Sequence, residues 1–310
     1  MSDSSITSAD PPHEARRQST LKQHERRVGV AFALPALAAF VVIILIPFVK
    51  SLKLSLFRYT IDTPEPQFVG FENFFKLFRD PAIVNVCLNT LVFVVSATCV
   101  TMVISLAWAL MMNQAFKARA LVRAASLLPW VLPSTVTAFL AAWIFNGQYG
   151  VLNAILLSTG LISEPVTWLA ERHGAMACVV ITKVWLSVPL FMAFFLAGLQ
   201  SVSQDQVDAA RVDGCQNLGV LRHVVLPHLA PTLIIVMILG TMGNLQAFDV
   251  IYALTQGGPV GATTMLSVEV YKQAFENWDM GMACAVGVLW FVLIAVPTVF
   301  YLRALFKREA

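Results

Sequence analysis

Two groups of polar residues stand out in a strongly apolar chain. Lys183, Trp185 and Ser187 share one apolar stretch, and Asn244 and Gln246 share another. A lysine offers a cation, and Ser, Asn and Gln offer donors and acceptors for a hydroxyl-rich solute. A tryptophan face adds a surface on which a ring can stack. The second group is the segment 201–230, SVSQDQVDAARVDGCQNLGVLRHVVLPHLA, the longest polar stretch between apolar ones. Neither group is a bond-breaking constellation. Of the histidines His13, His24, His173, His223 and His228, only the last two are near one another, and no paired carboxylates occur in an apolar stretch. No G-x-x-x-x-G-K-[ST] occurs, and no Gly-Lys dipeptide, so the chain does not bind ATP through that loop.

The elements that position these residues follow from composition. The chain has 310 residues, 58% hydrophobic and only 13% charged, against about 25% charged in an ordinary soluble domain. Too little charge is present to wet a soluble surface, which excludes a soluble enzyme and a disordered chain. A net charge of +3 marks no nucleic-acid partner. A membrane-crossing helix needs about 20 apolar residues, and six windows supply them: 28–49, 86–112, 122–145, 175–199, 231–251 and 281–306. The sequence therefore predicts an all-α membrane protein with six transmembrane helices and a short cytoplasmic helix pair. With the N-terminus inside, inner segments hold thirteen Lys and Arg against seven outside, so both termini are expected to be cytoplasmic. The expected organisation is a disordered cytoplasmic tail 1–27, a six-span domain 28–306 and a cytoplasmic tail 307–310. The outer loop 50–84 carries Phe68, Phe71, Phe74, Phe75 and Phe78, read as a lid on the span ends. The five cysteines have no metal-site or disulfide spacing and are expected to be buried small hydrophobes.

Within 201–230, Ser203 with Gln206 reads as a capping box. Gln204 to Asp213 is expected to be helical, with Gly214 as its left-handed cap. A second helix, about residues 218–225, would carry Leu218, Leu221, Val224 and Val225 on one face and end at Pro227. This is either a helix pair lying on the membrane surface or one that meets a protein partner. Asp205, Asp208 and Asp213 favour the partner, because an anionic inner leaflet repels them.

The stretch DAARVDGCQNLGVLRHVVLP resembles the EAA loop of permease subunits of ABC importers, with Asp208, Ala209, Ala210, Asp213, Gly214, Leu226 and Pro227 in register. Asp208 stands where that family has Glu, and Cys215 where it has Ala. FVGFENF at 68–74, GVLNAIL at 150–156, LAGLQSV at 196–202 and ALTQGGP at 253–259 are similar to segments of the MalF-like carbohydrate-uptake permeases, in family order. The resemblance implies a bacterial inner (plasma) membrane, binding-protein-dependent uptake of a carbohydrate, polyol or glycerol-phosphate-like solute, and no enzymatic activity of the chain's own. The implied partners are a second permease subunit, two cytoplasmic ATPase subunits that bind the ATP, and an extracytoplasmic solute-binding protein. It also implies coupling through the EAA loop and solute contacts on the later spans. The alternative, an ion-coupled secondary transporter, calls for intramembrane acids and inverted repeats, and neither is seen in the spans.

Each polar residue also has a structural reading. Lys183 either lines a cavity or snorkels to the outer interface. Asn244 and Gln246 either meet solute or bond between helices. Asn89, Thr90, Ser134, Thr135 and Thr137 are read as helix packing, and Pro129 and Pro133 as kinks. The 253–264 loop is a receptor-facing or gating segment, or a connector.

Overall fold

The computed structural model describes residues 28–309; the tail 1–27, expected to be disordered, lies outside them. The described residues divide into two compact units at Lys53 and Leu54. The described part of the first is α1 (Val28–Leu54) up to its last residue, apolar on every face as far as Lys50. It contains a wide π turn, Val41–Leu45, closed by the Ile46 N–H donating to the Val41 carbonyl. That turn ends two residues before Pro47, whose ring has no N–H to give and crowds the preceding turn.

The second unit opens with a hairpin that the helical reading did not anticipate, β1 (Phe57–Thr60) against β2 (Thr63–Phe68), antiparallel, with Phe57 opposite Phe68. There follow α2 (Glu72–Arg79), α3 (Pro81–Asn113), the bent pair α4 (Arg119–Val131) and α5 (Ser134–Ile144), α6 (Val151–Ser158) and α7 (Arg172–Gln200). The coupling segment is α8 (Gln204–Val212) and α9 (Asn217–His228). Then come α10 (Ala230–Leu245), α11 (Asp249–Thr255), α12 (Leu266–Tyr271) and α13 (Met280–Glu309). Among the described residues, four helices are long and apolar enough to cross a membrane, or up to six if each bent pair is one span.

The core pair is α3 against α7. Along one face of α3, Ala97, Thr101, Ser105 and Ala109 recur every four residues and each is fully buried. Small side chains at this spacing let two helices approach closely, which drives packing in lipid. The Ser105 hydroxyl donates to the Val188 carbonyl of α7 across 3.1 Å. Phe93 and Ala97 share one core cluster with Cys178 and Val179, while Ala109 and Met112 share another with Phe195 and Leu199. The two helices therefore run parallel, and α8–α9 leaves from the end of the molecule opposite the hairpin.

Local chemistry sets the element ends. Asp80 caps α3 by accepting from the Ala82 N–H at 2.8 Å, with Pro81 in the first turn. The third apolar window is two helices at 93°, broken at Leu132 and Pro133, as the prolines there require. The fifth does not run to Ile251. It stops at Leu245, whose freed carbonyl accepts from the Trp290 indole at 2.9 Å. The hairpin seats on the first turn of α13 at Gly281, where any Cβ would run into the Phe57 carbonyl.

Other expectations are corrected. The phenylalanine stripe is no lid: Phe68, Phe71, Phe75 and Phe78 are exposed, and α2 buries Asn73 and Leu77 from its other side. Asn73 wins the inner position because its amide donates to the carbonyls of Ser55 and Phe57, both at 2.9 Å. All five cysteines are free, but only Cys178 is buried and Cys99 is exposed. Replacing Ala109 by Leu should overpack the seam and cost about 1–3 kcal/mol. The outward Val103→Leu should change stability by less than about 0.5 kcal/mol. Thermal unfolding in mild detergent checks both, and equal midpoints for the two variants would refute the seam.

Candidate functional site

The coupling segment is built by its glycine. Gly214 has φ of +86°, the Gly214 N–H donates to the Arg211 carbonyl at 3.0 Å, and the Cys215 N–H donates to the Ala210 carbonyl at 2.9 Å. These are the two bonds of a Schellman cap, so the expected turn is present. The capping box is not. Ser203 makes no side-chain cap bond, and Gln204 donates instead to Asp208. Pro227 does not end the second helix either. A π turn, Leu221–Val225, precedes it, with the Leu226 N–H reaching the Leu221 carbonyl, and the helix continues to His228. The wider turn makes room for the ring, as before Pro47. Leu218 leaves its expected apolar face and is 77% exposed; with Val212, 87% exposed, it flanks the glycine turn as a pair of unpartnered apolar side chains.

Between α8 and α9 lies an open groove of about 510 Å³ lined by Gln206, Ala209, Ala210, Asp213, His223 and His228, among others. The His223 Nδ1–H donates to the Gly219 carbonyl, and His228 Nε2 pairs with the Ser201 hydroxyl, both at 3.0 Å. Asp208 does not line this groove, and its carboxylate is engaged by Arg211 at 3.4 Å, an exposed pair that adds little stability. Of the residues singled out in sequence, Ala209, Ala210 and Asp213 meet in the groove, Gly214 shapes the turn, and Leu226 and Pro227 sit at the far end of α9. The two histidines belong to the groove, a role their five-residue separation did not reveal.

The intramembrane candidates are split by geometry. Lys183, Ser187 and Asn244 line one cavity of about 430 Å³, together with Trp130, Ser134 and Phe194. Trp185 lies on another face of α7, in an apolar groove with Trp108 and Leu121. Gln246 is exposed beyond the end of α10 and does not line the cavity. Helical spacing foretells the split: Lys183 and Ser187 are four apart and share a face, whereas Trp185 is two from each. Asn244 is nearly buried and donates to the Thr98 hydroxyl at 3.0 Å, so it both faces the cavity and ties α10 to α3. Asp249 accepts from the Ser134 hydroxyl at 3.0 Å, and Ser134 lines the cavity with Lys183. Ser134 and Asp249 thus join the site through the bend at Pro133 and the break after Leu245, which sequence spacing does not convey.

Three buried asparagines fasten the hairpin end. Asn73 holds the hairpin, as above. Asn153, within GVLNAIL, donates to the carbonyls of Gly147 and Val166 and accepts from the Trp168 indole, all at 2.9 Å. Asn89 of α3 donates to the carbonyls of Gly261 and Thr264, at 2.9 and 3.2 Å. Read as helix packing in sequence, Asn89 instead pins the loop that contains ALTQGGP. Thr263 in that loop is fully buried and Val260 at its tip is fully exposed. On α2, Lys76 and then Arg58 of the hairpin hold the Glu72 carboxyl below the usual carboxylate range. In a cysteine-free background, Val260→Cys should react with a water-soluble maleimide at least about tenfold faster than Thr263→Cys, whose reaction needs local opening. Equal rates would refute a pinned loop.

Residues 101–309 match the family described as binding-protein-dependent transport system inner membrane component. The chain is 34% identical to the trehalose/maltose transport system permease protein MalF of Thermococcus litoralis, over 94% of this chain and 98% of that one. It is 29% identical to the sulfoquinovosyl glycerol transport system permease protein SmoG of Agrobacterium fabrum, over 92% of each. A crystal structure of a bacterial alginate ABC transporter, in complex with its alginate pentasaccharide-bound periplasmic protein, shares the fold. Its TM-score is 0.78 at 21% identity, covering 90% of this chain and 94% of that one.

Proposed function

The chain belongs to the binding-protein-dependent transport system inner membrane component family, and from that premise we propose that it forms half of the pathway of an ATP-driven importer. The cargo is a carbohydrate, polyol or glycerol-phosphate-like solute. A second permease supplies the other half, an extracytoplasmic solute-binding protein delivers the solute, and two cytoplasmic ATPase subunits bind the ATP. The tail 1–27, the membrane domain 28–306 with its outer loop 50–84, and the tail 307–310 are arranged with both termini cytoplasmic.

One observation carries the coupling role. Val212 and Leu218 stand exposed on either side of a rigid glycine turn, at the end of the molecule opposite the hairpin. Apolar side chains on a projecting helix pair suit a helix-in-groove contact with a protein. Closure of the ATPase pair would push on α8 and α9. The thrust would reach α7 through the chain at Ser201 and α10 through Leu229, and both helices line the Lys183 cavity. The carbohydrate class is supported by the sugar relatives and by the cavity's mix of hydroxyl, amide, cation and aromatic groups.

The test is co-purification from the native membrane with ATP-driven uptake read in parallel. Val212→Asp and Leu218→Asp should each weaken ATPase retention about fivefold or more, the effect of removing an interface anchor worth over 1 kcal/mol. Gly214→Pro should release the ATPase and stop uptake while the chain stays in the membrane, because proline fits neither the positive φ nor the donated hydrogen bond. A chain that purifies alone and moves solute without ATP would overturn the importer reading in favour of the ion-coupled alternative. For the cavity, Lys183→Met should change the KM for uptake with ATPase retention unchanged; unaltered kinetics would remove Lys183 from the pathway.

A further inference from the structure

We propose that α2 is an interfacial helix whose phenylalanine face lies in the lipid leaflet at the hairpin end, making it a membrane anchor for the hairpin. The inference rests on the chain's membership of a membrane family and is independent of the coupling role. At 100° per residue, the eight residues of α2 and its N-cap fall into three sectors rather than two. Asn73 and Leu77 form the sector buried against the protein. Phe71, Phe75 and Phe78 form a second, each about two-thirds exposed, with the half-buried Phe74 at its edge beside Leu77. Glu72, Lys76 and Arg79 form the third, with Glu72 paired to Lys76 at 2.9 Å and to Arg58.

A helix between protein and water needs two faces. One placed where protein, lipid and water meet needs three, and α2 has them. Its height agrees. Only Asp80 separates α2 from α3. The 33 residues of α3 extend about 50 Å at 1.5 Å each, beyond about 30 Å of hydrocarbon and into both headgroup layers. The residue after α2 therefore sits at headgroup depth. Other aromatics mark the same level: Phe275 and Trp278, just before α13, are each more than half exposed. The hairpin is bridged to that point through Thr60 and Asp279. Aromatic rings gather at this depth, and basic side chains there reach lipid phosphates. A docking protein would satisfy the stripe equally well on area alone, but three phenylalanines offer it no hydrogen bond.

The experiment places a photoreactive side chain on each sector of the assembled transporter, in vesicles of phosphatidylethanolamine and phosphatidylglycerol with the solute-binding protein present. On irradiation, Phe75→p-benzoylphenylalanine and Phe71→p-benzoylphenylalanine should each gain the mass of a phospholipid. Lys76→p-benzoylphenylalanine should gain at least severalfold less. Adducts with any polypeptide at positions 71 and 75, no adduct there, or equal lipid labelling at position 76 would each overturn the proposal. Should those variants fail to assemble, a cysteine-free background carries Phe75→Cys and Lys76→Cys. The first should then react at least severalfold slower with a membrane-impermeant maleimide than the second, and faster with a lipid-soluble one; the reverse order overturns the proposal.

Discussion

The close approach of α3 to α7 is the contact on which the rest of the molecule depends. In lipid, burying Leu against Leu gains little, because the acyl chains are equally apolar. What remains is dispersion between backbones brought near by small residues, and a few bonds such as Ser105 to Val188. Ala97, Thr101, Ser105 and Ala109 supply that approach along about three turns. Because the two helices run parallel, the hairpin and α2 that lead into α3 lie at one end, and the α8–α9 pair that leaves α7 lies at the other. The hairpin and the coupling pair are thereby held apart by the membrane's thickness.

The two ends are built by different chemistry. The hairpin end consists of irregular backbone, whose carbonyls must be satisfied. Asn73, Asn89 and Asn153 do this from buried positions, each amide reaching two carbonyls of neighbouring loops. The coupling end is helix, turn and helix, with exposed charges and no such hubs. Its order comes from the Schellman cap at Gly214 and the π turn before Pro227.

Lys183 sits between them. A lysine at the centre of a span costs about 2.5–3.5 kcal/mol on insertion scales. It lines a cavity beside Ser134, whose hydroxyl donates to the Asp249 carboxylate, so an acid lies one hydrogen bond from the cavity wall. The acid is not on the same helix. It arrives because α10 breaks after Leu245 and α11 turns back across α5 and α7.

The sequence by itself determined the class, the apolar helices, the glycine turn and the family. Each rests on local quantities: hydropathy over about 20 residues, one positive-φ glycine, and motif spacing in chain order. It also carried signals not read from it, the four-residue recurrence from Ala97 to Ala109 and the two-residue offset of Trp185 from Lys183. Only the tertiary structure decided which way the phenylalanines of α2 face. Amphipathic spacing says that a face exists, whereas the competing demand of Asn73 for the Ser55 and Phe57 carbonyls says which face turns inward. It alone joined Ser134 to Asp249 and Asn89 to Gly261, pairs far apart in the chain, because such meetings follow from where helices bend and cross.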